Sequence, residues 1–66
     1  MKIIVNGEKK EFEEGMSLAQ IMGRLGISEK VMAAAVNMEV VKKEEWERFS
    51  PKEGDRVELL QFVGGG

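Results

Sequence analysis

"VMAAAVNMEVV", residues 31–41, is the stretch on which the architecture turns. It is apolar, yet its apolar residues do not follow the i, i+3, i+4, i+7 spacing of one helix face. Asn37-Met38-Glu39 interrupts it. Read as extended chain, it is a strand over residues 31–37, a tight turn, and a short strand at Val40-Val41. Ala and Met are good helix formers, so a second helix competes with the strand. The small alanines suit a place where a helix lies close on a sheet.

Upstream, "GMSLAQIMGRLG", residues 15–26, reads as a helix with both ends marked. Ser17 is a good N-cap, and Gln20 three residues on completes a capping box. Met16 and Ile21 stand where a hydrophobic staple closes over that cap. Leu18, Ile21, Met22 and Leu25 form one apolar stripe. Gly26 is placed for a left-handed cap. Gly23, inside the helix, costs about 1 kcal/mol against Ala and is read as tolerated or as allowing close backbone approach. Before the helix, "KIIVNGEKKEFE" carries Asn6-Gly7, the strongest short hairpin signal, between strands at residues 2–5 and 9–13. The second is mostly charged, as befits a sheet edge.

Downstream, "KKEEWERFSPKEGD", residues 42–55, is charged and holds one helical turn near residues 44–47. Trp46 and Phe49, spaced i and i+3, would be its buried side; Trp46 as an exposed binding anchor is the alternative. Gly54-Asp55 is a turn. The last strand runs over residues 56–62. Its side chains alternate, and Arg56 and Glu58 must face water. Val57 and Leu59 then go to the helix side, while Leu60 and Phe62 stand on the open face as a candidate docking patch. Alternatively, the strand end curls and tucks Phe62 into the core. The elements make an α+β domain, one main helix on one face of a four- to five-stranded sheet. The reading is one domain at residues 1–62 and a flexible glycine tail at residues 63–66.

Composition narrows the chemistry. A chain of 66 residues buries only about 60% of the surface its unfolded form exposes. It has no Cys, so disulfides and thiolate metal sites are excluded, and no His, the usual zinc ligand and general base. A net charge of −2 argues against nucleic acid as a main partner. The three apolar residues after Lys2 are too few for a signal peptide or a membrane span. The expectation is a cytoplasmic protein without a metal site, its five methionines serving as core filler. No catalytic constellation is present.

What stands out is the end, "FVGGG". Without Cβ atoms the glycines can enter a narrow channel and leave the carbonyl of Gly66 open to attack. A carboxylate is a poor electrophile, so a partner enzyme would activate it as a mixed anhydride with a nucleotide, using Mg²⁺ and cations to neutralise charge.

Taken in order, the hairpin at Asn6-Gly7, "EGMSLAQIM", "AVNMEVV", "KKEEWERFSPKEGDRVELL" and the terminal glycines resemble the ThiS family of sulfur carriers for thiamine biosynthesis. That family is related to the small subunit of molybdopterin synthase and, in fold, to ubiquitin. The resemblance covers the whole chain. It implies a β-grasp sheet with the first and last strands parallel at its centre. It also implies a mechanism. An E1-like adenylating enzyme of the ThiF type uses ATP and Mg²⁺, neither held by this chain, to adenylate Gly66. A cysteine desulfurase or another persulfide donor then supplies sulfur, and the Gly66 thiocarboxylate passes it to a ThiG-type thiazole synthase. Gly65 and Gly66 match the family's terminal pair, and Gly64 with Gly65 would thread the partner's active site. The carrier is a co-substrate rather than an enzyme. Two other readings stay open: a carrier for molybdopterin or another thiolation pathway, and a β-grasp protein-modifier or interaction module.

Overall fold

The computed structural model describes residues 1–62. The tail expected at residues 63–66, with the candidate residues Gly64, Gly65 and Gly66, lies outside the described residues.

Turn chemistry sets the first hairpin. Asn6 (φ 50°) and Gly7 (φ 85°) both take the left-handed conformation that a two-residue turn of this kind demands. They join β1 (Lys2–Val5) to β2 (Glu8–Glu11), with Val5 opposite Glu8 and Lys2 opposite Glu11. The second strand therefore starts one residue earlier than expected and ends at Glu11 rather than residue 13. A two-residue turn leaves no slack before pairing resumes, and beyond Glu11 the chain turns Phe12 into the core.

The helix α1 (Leu18–Leu25) is bounded as its sequence requires. Ser17 Oγ accepts from the Gln20 N–H at 3.2 Å, and Gln20 Oε1 accepts from the Ser17 N–H at 2.9 Å. The remaining first-turn amides are also satisfied. Leu18 and Ala19 donate to the carbonyls of Phe49 and Trp46, and Ile21 donates to Ser17. All four donors that a helix start leaves open are thus occupied, and this end has no amide to offer an anion. At the other end Gly26 (φ 73°) donates to Gly23, and Ile27 donates to Met22, the bond pair of a Schellman motif. Leu18, Ile21 and Met22 are buried and Leu25 is half-buried.

Residues 31–41 form strands, not a helix. β3 (Val31–Val36) and β4 (Glu39–Val41) are joined by Asn37 (φ 50°) and Met38 (φ 71°). Asn37, expected inside the strand, belongs to the turn, because pairing Val36 with Glu39 forces both intervening residues to positive φ. Of the three alanines only Ala34 is buried in the core; strand alternation sends Ala33 and Ala35 to the opposite face. A register shift between Val31 and Ala33 leaves Met32 outside the pairing and 61% exposed.

After β4 the expected helical turn is a 3₁₀ turn at Lys43–Glu45, slightly earlier than expected. Trp46 follows and is buried. Its indole N–H donates to the Val41 carbonyl at 2.8 Å, which makes it a core residue rather than an exposed anchor. Phe49 packs half-buried against the same core. The last strand, β5 (Arg56–Gln61), stops one residue short of Phe62.

The five strands form one sheet in the order β2-β1-β5-β3-β4. β1 and β5 run parallel at the centre, and the other described pairs are antiparallel. The single core, with Ile3, Leu18, Ile21, Met22 and Val57 most deeply buried, lies on one side of this sheet. This is the α+β, β-grasp architecture, with five strands rather than four. Among the described residues nothing covers the opposite face of the sheet, where Val40 and Leu60 are exposed.

One packing detail gives a direct expectation. A Cβ built at Gly23 meets only Ser28 Oγ at 3.6 Å, an ordinary contact, and Gly23 does not need positive φ. Gly23→Ala should therefore stabilise the protein by about 0.5–1 kcal/mol. Thermal melting should show a rise of several degrees; a fall would mean that the helix needs closer approach at this point than the backbone geometry indicates.

Candidate functional site

The site is built at the end of β5. Val57 and Leu59 are buried at 0% and 5% exposure, whereas Leu60 is 61% exposed. Arg56 and Glu58 share the outer face with Leu60, so the strand's inner and outer sets are those its charges mark. Phe62, just past the strand, is 63% exposed and does not tuck into the core. Its backbone N–H donates to the Lys30 carbonyl at 2.6 Å, which holds the chain beside the start of β3 as it leaves the sheet.

Neighbouring strands extend this surface. Leu60 pairs with Ala33, and Ala35 pairs with Glu58 on one side and Val40 on the other. Ala33, Ala35, Val40 and Leu60 line a shallow groove whose exposed surface is almost wholly apolar. The physical cause is side-chain size. The two alanines on β3 add one carbon each above the sheet, so Leu60 on β5 and Val40 on β4 stand as walls on either side. Val40, 78% exposed, was not a sequence-derived candidate. Val40 and Val41 are both apolar, and only the pairing of Val36 with Glu39 decides that Val41 goes in and Val40 out.

The structure thus brings Leu60 into one apolar surface with β3 and β4 residues and leaves Phe62 exposed at the strand's exit. Gly64, Gly65 and Gly66 follow in sequence, outside the described residues. The three ion pairs among the described residues, Glu8–Lys10, Glu13–Arg24 and Glu45–Arg48, lie away from this groove. Among the described residues no group of three or more carboxylates is placed to hold a metal ion. No helix there is long and apolar enough to cross a membrane. What this arrangement can do is bind through an apolar face and deliver the segment that follows it.

The chain is similar over its length to known proteins. The model of the ThiS family matches residues 3–66. A thiazole synthase of Paramagnetospirillum magneticum is 33% identical over 66 residues, and the match spans all of this chain but 20% of that protein. The sulfur carrier protein ThiS of Escherichia coli is 26% identical, with both chains covered in full. The crystal structure of the thiamine biosynthesis protein ThiS from Geobacter metallireducens superimposes with a TM-score of 0.81 at 31% identity, again covering both chains in full.

Proposed function

This chain belongs to the ThiS family, and on that premise we propose that it is a sulfur carrier for thiamine thiazole synthesis, with the Gly66 carboxylate as the group that is loaded. The observation that carries the reading is that the glycine run follows Phe62 within four residues in sequence, and that the exposed Phe62 itself comes directly after a strand whose Leu60 lines an apolar groove. Four residues span at most about 14 Å. An enzyme acting on Gly66 must therefore bring its body over the surface around Leu60 and Phe62, and an apolar groove there gives it purchase.

The chemistry follows from the carboxylate. A Gly66 oxygen attacks the α-phosphorus of ATP in an E1-like enzyme, and pyrophosphate leaves. Mg²⁺ and ATP are held by that enzyme, not by this chain. A persulfide sulfur, from a cysteine desulfurase or an equivalent donor, attacks the carbonyl carbon and AMP leaves. A thiol then cleaves the resulting acyl disulfide, releasing the thiocarboxylate and forming a disulfide between the donor and that thiol. Thiazole synthase consumes the thiocarboxylate. The similarity to a thiazole synthase supports this destination over molybdopterin. The chain acts as co-substrate while its partners catalyse, and ATP with reduced sulfur makes the cytoplasm the place of reaction.

Intact-mass measurement tests this directly. After co-expression with an adenylating enzyme and a persulfide donor, the mature protein should gain the mass difference between sulfur and oxygen, with Gly66 as its last residue. An unchanged mass would sink the carrier reading, and attachment to another protein would point to a modifier instead.

A further inference from the structure

β1 and β5 are partners only briefly. Their pairing covers Ile4 with Arg56 and Val5 with Val57, supported by backbone bonds from Ile4 to Asp55 and from Asn6 to Val57, each at 2.9 Å. Then Asn6 and Gly7 turn the backbone away into β2. Leu59 sits two residues past Val57, where β1 no longer runs. The Asn6 side chain takes over. Its Oδ1 accepts from the Leu59 N–H at 2.8 Å, and its Nδ2 donates to the Leu59 carbonyl at 3.2 Å. A carboxamide is chemically a peptide group, so it extends the ladder after the strand itself has left. Asp at this position would lose the donor and set a charge against a carbonyl. Asn also tolerates the positive φ that the turn demands.

We propose that Asn6 is a positioning residue for the reactive terminus: its carboxamide clamps Leu59 and so fixes the direction in which residues 60–62 leave the sheet, ahead of the glycines. The inference rests on the reading of Gly66 as the loaded group. The exit of β5 is gripped on two flanks, by Asn6 on the β1 side and by Lys30, through the Phe62 amide, on the β3 side. Without Asn6, the Leu59 N–H and C=O, which both face the β1 side, lose these bonds, and the end of an element with few hydrogen bonds opens locally. The carboxylate then spends less time aligned for attack inside the enzyme, a term on which rates depend steeply.

The fold carries its own control. Asn37 does the same work at the start of β5, its Oδ1 accepting from the Arg56 N–H and its Nδ2 donating to Asp55 Oδ1, each at 3.0 Å. That clamp lies about 20 Å along the strand from Phe62. Both asparagines can become glycine without spoiling their turns, since glycine adopts positive φ freely.

The experiment compares Asn6→Gly with Asn37→Gly in ATP–pyrophosphate exchange catalysed by a ThiF-type adenylating enzyme, at a temperature where melting curves show both variants folded. Amide hydrogen exchange is read on the same samples. For Asn6→Gly, kcat should fall about tenfold while KM, set by the groove, holds, and the Leu59 amide should exchange faster. Asn37→Gly should react like the wild type and open at Arg56 instead. If Asn6→Gly reacts as fast as the wild type, or if both variants slow equally, the positioning role is overturned. If the wild type itself supports no exchange, the Gly66 reading is overturned and this inference with it.

Discussion

Deleting Gly66 should abolish thiocarboxylate formation and leave the fold intact. Under the proposed chemistry the loss is complete rather than partial, because the shortened chain ends one residue, about 3.5 Å, further from the enzyme's nucleotide. In-line attack tolerates no such gap. Stability should change by well under 1 kcal/mol, since every buried residue among those described precedes Leu60. Intact mass after co-expression and a thermal melt check both halves. A truncated protein that still gains sulfur would remove Gly66 from the mechanism. One that fails to fold would give the terminus a structural role instead.

The second large effect separates the two faces of β5. Leu59→Ala opens a cavity in the core, at a cost of about 2–5 kcal/mol. A chain this small commands about 3–5 kcal/mol in all. The melting temperature should therefore collapse, while partner affinity falls only with the folded fraction. Phe62→Ala should do the reverse. It removes an exposed ring and keeps the backbone bond to Lys30, so the melting temperature should barely move. Apolar anchors near an interface centre are worth about 2 kcal/mol or more, so affinity for the adenylating enzyme should drop about 30-fold. Leu60→Ala should resemble Phe62→Ala, because Leu60 forms one wall of the groove. Titrating each variant against the enzyme, with melts alongside, decides the matter. Undiminished binding by both Leu60→Ala and Phe62→Ala would move the docking surface elsewhere.

Much of this was legible from the chain. The helix declares both ends because capping is local: Ser17 and Gln20 are three residues apart, and Gly26 follows the last turn directly. Asn6-Gly7 announces its turn for the same reason. The faces of β5 are readable because Arg56 and Glu58 mark the wet side, which assigns Val57 and Leu59 to the core by alternation alone. The groove was only half legible. Leu60 belongs to a strand with charged markers, whereas Val40 sits beside an equally apolar Val41, and nothing within three residues says which of them is covered.

Sequence by itself therefore determined what depends on near neighbours: the helix and its caps, the first turn, and the inward and outward sets of the last strand. Tertiary structure decided what depends on partners far along the chain. The bulge that throws Met32 outward arises only when β3 pairs with β5. Met38 takes positive φ, which a methionine rarely adopts, because sheet pairing on both sides of the turn compels it. Asn6 shows the division within one side chain. Its place before Gly7 predicts the turn, but the bonds its carboxamide makes reach across 53 positions to Leu59. Those bonds exist only because a parallel strand returns to β1 and outruns it.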